Sequence, residues 1–149
     1  NNMNETINHV LKKYNKYEYI VLTMPDTYFE DINVLYNMVS DLTSKNSDLS
    51  LTAWRVNNYQ KGKLGQLNIS SGRLLEVVDK NPNCKFKYAW GAIGWNKSLN
   101  SLISNKDPHI GYIINPAIKI NHKISINYAK NKYYDCGTFS EYKRLLAEF

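Results

Sequence analysis

The chain has 149 residues, 43% apolar and 21% charged, and carries a net charge of +6. That balance excludes a disordered chain, and the length suits one domain, residues 1–149, with a core of its own. No apolar run approaches the ~20 residues of a bilayer span, and two cysteines, Cys84 and Cys136, are too few for a disulfide scaffold. The first residues lack the basic and apolar parts of a signal peptide, so a reducing, cytoplasmic setting is expected. The positive charge suggests an anionic partner: nucleic acid, nucleotide or sugar phosphate.

Ile7, Val10, Leu11 and Tyr14 recur at helical spacing and predict an amphipathic first helix, with Lys12 and Lys13 placed to complement its dipole. No strand precedes this helix for it to cross over from, so further domain residues are expected upstream. Tyr19 to Met24 is a short apolar run stopped by Pro25, which cannot donate to a sheet ladder. It predicts a strand buried on both faces in a parallel sheet, with Asp26 at its carboxyl end, where open α/β sheets bind ligands. Asp31 is expected to cap a second helix that buries Ile32, Leu35, Tyr36 and Val39. Leu49 to Val56 follows as a strand with Leu49, Leu51 and Ala53 on one side. Helix, strand, helix, strand argues for a parallel sheet with helical crossovers.

Leu64 to Ile69 and Arg73 to Lys80, joined by Ser70-Ser71-Gly72, predict a β-hairpin. Lys87 to Trp95 predicts a strand, and Gly91 and Gly94 inside it mark a bulge, a close approach or a weak edge. Asn96 to Ser104 reads as a short helix, Ile110 to Asn115 as a segment of undefined type, and Lys123 to Tyr128 as a strand. Thr138-Phe139-Ser140-Glu141 is a capping box, and Phe139, Tyr142, Leu145, Leu146 and Phe149 form the apolar stripe of a last helix.

Two carboxylates stand out. Asp26 follows the first strand, and Asp135 precedes the last helix in Tyr133-Tyr134-Asp135-Cys136-Gly137-Thr138. Both are expected at strand-end loops of one sheet, where a carboxylate pair can hold one Mg²⁺ shared with substrate phosphates. The same residues also fit a turn opening at Asp26 and a charge at Asp135 that favours the helix N-terminus. His9, His109 and His122 have no nucleophile partner at motif spacing and read as surface or structural residues. Lys85-Phe86-Lys87-Tyr88 and the basic-aromatic run over 130–134 read as solvated strand edges, which sets nucleic acid aside as a partner. Oligomeric state is left open.

Taken in order, Met24-Pro25-Asp26-Thr27, Leu64-Gly65-Gln66, Val77-Val78-Asp79-Lys80-Asn81-Pro82, Trp90-Gly91-Ala92 and Tyr134-Asp135-Cys136-Gly137-Thr138 resemble the sugar-1-phosphate nucleotidyltransferases. The resemblance implies a Rossmann-like mixed α/β sheet flanked by helices. It also implies nucleotidyl transfer from a nucleoside triphosphate to a sugar 1-phosphate, with release of pyrophosphate. Asp26 and Asp135 then match the metal ligands. Asp79 and Lys80 match a pair that holds sugar hydroxyls and phosphate, Lys80 neutralising the incoming phosphate. Gly65 and Gly91 match glycines beside the sugar, and Tyr133 an aromatic that packs near it. Asp79 is one methylene shorter than the glutamate usual there. The glycine-rich G-x-G-T-R loop that cradles the nucleotide has no counterpart, so the chain would lack the N-terminal nucleotide-binding part. Two other readings follow from the same motifs: a sugar-phosphate-binding or regulatory module without turnover, and an enzyme whose acceptor is an amino-alcohol phosphate such as phosphocholine.

Overall fold

The computed structural model describes residues 2–58, 60–130 and 132–148. Helix α1 (Met3–Lys13) is capped by Asn2, whose side chain accepts the Glu5 N–H. Strand β1 (Tyr19–Thr23) and a three-residue strand β2 (Thr27–Phe29) lead into α2 (Val34–Thr43) and β3 (Leu49–Arg55). The hairpin β4 (Gly65–Ser70) and β5 (Arg73–Asp79) follows, then β6 (Tyr88–Asn96). Two 3-10 turns (Lys97–Leu102 and Ile110–Ile113), α3 (Ile114–Lys119), β7 (Ile124–Tyr128), β8 (Tyr133–Asp135) and α4 (Phe139–Leu146) complete the chain.

The main sheet is mixed. Its order is β5-β4-β6-β3-β7, with β1 also paired to β6, and β3–β7 is its parallel pair. Strand β3 runs along one edge of β6, while β4 takes Tyr88 and Ala89, and β1 takes Ala92 to Asn96, on the other. The parallel reading is therefore corrected. Strands β1 and β3 do run the same way through the α2 crossover, but β6 inserts antiparallel between them. Nor is β1 buried on both faces. Ile20 and Leu22 face the core, while Val21 is exposed. Strand β6, in contrast, is central rather than a weak edge.

The main core lies on one face, where Leu49, Leu51, Ile93 and Trp95 meet Ile7 of α1, Leu99, Ile110, Ile113 and Ile114. Helix α2 covers the other face, but not by the stripe expected. Val34, Met38, Asp41 and Leu42 are buried, whereas Ile32 is 89% and Tyr36 73% exposed, and Leu35 and Val39 also face out. The apolar arc of α2 is broad, holding Val34, Leu35, Tyr36, Met38, Val39 and Leu42, so periodicity admits two phases. Two contacts select one. Asp41 accepts hydrogen bonds from Ser50 on β3 and Asn127 on β7 and pairs with Lys45 at 2.7 Å. Gly94 also leaves room for Met38 and Leu42, whose atoms stand 2.9 Å from where a Cβ would be. Asp31 is not the cap; it accepts the Asn33 N–H in the turn before the helix.

The hairpin turn at Ser71 and Gly72 has positive φ at both residues (48° and 75°), as a tight two-residue connection requires. Helix α4 is capped as expected, Thr138 Oγ1 accepting the Glu141 N–H at 3.3 Å. Its stripe nevertheless buries nothing among the described residues, and Phe149 lies outside them.

At the start of β3, Asp48 accepts the Lys123 N–H at 2.9 Å and bonds His122 Nδ1 at 3.0 Å. Burial pushes its carboxyl up, but the Lys123 and His122 bonds outweigh that and hold it below its ordinary 3.8. A lowered carboxyl contributes stability above its unfolded value and loses it as pH falls through the folded one. Asp48→Asn should therefore cost under about 1 kcal/mol at pH 7, the side chain being partly solvated. Urea melts of mutant and parent should converge below pH 3.8.

Candidate active site

The site is assembled by a ribbon outside the main sheet. After Pro25 the chain turns, Thr27 donating to the Met24 carbonyl through N–H (3.3 Å) and Oγ1 (2.8 Å). It then pairs again as β2, antiparallel to β8, with Thr27 opposite Asp135 and Phe29 opposite Tyr133. The Cys136 N–H donates to the Asp26 carbonyl at 2.6 Å. Two residues 109 positions apart are thus zipped side by side. The expectation that both carboxylates sit on one sheet is corrected: Asp26 follows the main sheet, whereas Asp135 ends the ribbon.

Their side chains converge over Gly137. A Cβ there would stand 3.0 Å from Asp26 Oδ2 and 3.1 Å from Asp135 Oδ1. The Gly137 N–H already donates to Asp135 Oδ1 at 3.0 Å. Burial pushes the Asp135 carboxyl up; the Gly137 bond opposes this, while the charges of Glu141 and Asp26 add to it and Lys63 relieves part. Facing carboxylates with such repulsion attract a cation. No cluster of three or more His, Cys, Asp or Glu able to hold a metal occurs among the described residues. Two carboxylates suit Mg²⁺, which keeps several waters and takes its remaining oxygens from substrate phosphates.

All seven residues singled out in the sequence, Asp26, Gly65, Asp79, Lys80, Gly91, Tyr133 and Asp135, line one cleft of about 270 Å³. Lys80 leaves β5 with φ 47°, a left-handed conformation that costs a non-glycine residue about 1–2 kcal/mol. Gly65 lets Trp90 lie across the strand, since a Cβ would meet Trp90 Nε1 at 2.3 Å. Gly91 is a bulge. Thr52 pairs with Ala92 and Ala53 with Trp90, so Gly91 is left over. The extra residue reverses the alternation of β6. Ile93 and Trp95 face the main core, and beyond the bulge Trp90 packs against that same core while Ala89 joins Trp54 and Tyr133. Tyr133 is 7% exposed and stacked on Trp54 at 3.4 Å, with Phe29 edge-on at 5.0 Å. Burial, then the nearby Asp135 and Asp26 charges, push its phenol far up. Most of its ring is therefore engaged in packing, leaving one edge on the cleft.

Among the other residues that line the cleft, sequence reasoning gave no site role to Lys63, Trp90 and His109. Lys63 stands two positions before the matched Gly65, and its ammonium lies 3.9 Å from Glu141. His109 was read as a structural residue. It faces the cleft and bonds Asp79 Oδ2 at 3.1 Å, a pairing of positions thirty residues apart that no local spacing signals.

No family model matches the sequence, and no curated protein matches it. Solved structures do. A Bacillus anthracis protein named as a glucose-1-phosphate thymidylyltransferase, solved with sucrose, superposes with TM-score 0.80 at 20% identity, over 96% of this chain and 59% of its own. UDP-glucose pyrophosphorylase from Acinetobacter baumannii superposes with TM-score 0.76, and its UTP-bound form with 0.75. Each of those is 13% identical, over 93% of this chain and 53% of its own. The fold is that of these nucleotidyltransferases, and the chain spans little more than half their length.

Proposed function

We propose that the chain is the acceptor- and metal-binding part of a nucleotidyltransferase that joins a nucleoside triphosphate to a sugar 1-phosphate and releases pyrophosphate. The observation that carries this reading is the convergence of Asp26 and Asp135 over Gly137, in one cleft with Lys63 and Lys80. A phosphate oxygen of the acceptor attacks the α-phosphorus; a phosphorus–oxygen bond forms there as the bond to the β-phosphate oxygen breaks. The attacking oxygen is already anionic, so no base must remove a proton. Catalysis is then positioning and charge neutralisation. Lys80 and Lys63 lower the repulsion between the two anions. Asp26 and Asp135 would hold Mg²⁺, which when bound supplies further neutralisation of the phosphates. The strained backbone at Lys80 supports a role for its ammonium, because glycine there would be cheaper.

Pyrophosphate release from the four common nucleoside triphosphates, tested with a panel of sugar 1-phosphates on the complete reading frame that carries this chain, checks the reading. A panel that binds sugar phosphate without any turnover favours a binding or regulatory module instead. Lys80→Gly should raise the KM for the acceptor at least tenfold, about the worth of one charge-assisted hydrogen bond. The same change relieves the positive φ, so urea melts should show no loss of stability. An unchanged KM would remove Lys80 from the site.

A further inference from the structure

A second cavity of about 400 Å³ opens on the other side of Asp79, Trp90 and His109, the three residues it shares with the cleft. Its volume suits one compact ligand group. Its walls differ in character from the cleft. The cleft holds two lysines, Lys63 and Lys80. The second cavity is lined by no lysine or arginine but by two carboxylates, Asp79 and Asp107, and by three aromatic rings. Trp90 and His109 have ring centroids 6.4 Å apart, and His109 and Tyr112 meet edge to face at 4.9 Å.

The polar groups narrow the ligand further. The Asn115 amide is consumed by the Val77 backbone, accepting its N–H at 2.7 Å and donating to its carbonyl at 2.9 Å. His109 Nδ1 accepts the Gly111 N–H at 3.2 Å, which places the ring proton on Nε2, where it donates to Asp79. The ring thereby orients the Asp79 carboxylate. What remains is mostly acceptors and aromatic faces. A neutral sugar needs donors and acceptors together, whereas an ammonium needs only acceptors and gains from aromatic faces.

We infer that this cavity takes the non-phosphate end of the acceptor, and that the acceptor is a compact phosphomonoester bearing a positively charged amino group. Its phosphate lies at the lysine end and its nitrogen at the Asp79–Asp107 end. An amino sugar 1-phosphate and an amino-alcohol phosphate share this chemistry. The inference rests on the nucleotidyltransferase reading for the placement of the phosphate.

Calorimetry on the chain with Mg²⁺ tests it through two matched pairs: glucosamine 1-phosphate against glucose 1-phosphate, and phosphoethanolamine against ethylene glycol monophosphate. The amino member of at least one pair should bind tenfold or more tightly than its neutral partner, and which pair does so tells sugar from alcohol. Asp107→Asn should remove most of that preference by weakening the amino ligand far more than the neutral one. Tyr112→Leu, at a partly exposed position, should weaken the amino ligand severalfold and serves if Asp107→Asn does not fold. Equal binding of amino and neutral members overturns the inference and leaves the transfer reading standing. A preference that survives both variants overturns the assignment to this cavity. No binding of any phosphomonoester overturns both.

Discussion

Under the proposed function, Asp26→Asn and Asp135→Asn should each lower magnesium-dependent pyrophosphate release by on the order of a hundredfold or more, the scale of losing a group that stabilises developing charge. The reason is geometric. Both side chains reach the same point above Gly137, so neither can replace the other, and asparagine keeps the shape while removing the charge. The two mutants should also lose manganese binding, read directly by the relaxation of solvent protons. Stability should move the other way at Asp135. Its carboxyl is raised in the folded chain by burial, with Glu141 and Asp26 adding to the effect. A raised carboxyl contributes stability at low pH and loses it as pH rises through the folded value. Without metal, Asp135→Asn should therefore be more stable than the parent at neutral pH, and the gain should fade on acidification. A mutant that is less stable at pH 7 and still turns over normally would refute the metal assignment.

Gly91→Ala should cost about 2–3 kcal/mol, at the upper part of what overpacking a core costs. The new methyl would stand 2.5 Å from Trp54 and 2.8 Å from Tyr133. Neither ring can retreat easily, because each is stacked on the other and Phe29 closes Tyr133 from the side. Gly72→Ala is the control. Nothing lies within 4 Å of its Cβ, and only the positive φ of 75° opposes it, so about 1 kcal/mol is expected. Denaturant midpoints separate the two. Equal costs would show that β6 adjusts freely around its bulge. Gly91→Ala should also displace the Tyr133 edge from the cleft and weaken acceptor binding.

The features legible in the sequence are those decided by neighbours. The Ser71–Gly72 turn and the Thr138–Glu141 cap depend on three or four consecutive residues, and both formed where local chemistry placed them. The strand β2 was invisible because three residues carry no period, and it exists only by pairing with β8 more than a hundred positions away. The neighbour and two-sided burial expected of β1, and the phase of α2, failed for a related reason. An apolar run does not say which strand will lie beside it, and a helix with a broad apolar arc does not say which part of it turns inward. Asp41, reaching Ser50 and Asn127, makes that choice. Asp26 and Asp135 were singled out as strand-end carboxylates, and Gly65, Asp79, Lys80, Gly91 and Tyr133 through the ordered short motifs; the fold lines one cleft with all seven. His109 escaped because it belongs to none of those motifs, and its partner Asp79 is joined to it only by the fold.

The surplus residue at Gly91 also bears on how this chain can change length. Side chains along a strand alternate strictly, so a one-residue deletion normally ruins the packing of one end. Here the alternation is already broken once, on purpose of shape rather than by accident of sequence, and the break turns Trp90 toward Gly65 and His109. Deleting Gly91 would make β6 a regular strand with Ala92 opposite Thr52 and Trp90 opposite Ala53 as they are now, so Trp90 would keep its face and its place in the wall shared by the two cavities. A more regular sheet would then lose only the bulge residue itself from the cleft lining. Surveys of insertions and deletions across this chain should find the Ser71–Gly72 turn permissive and, within β6, a deletion at position 91 better tolerated than one at Ala92 or Ile93.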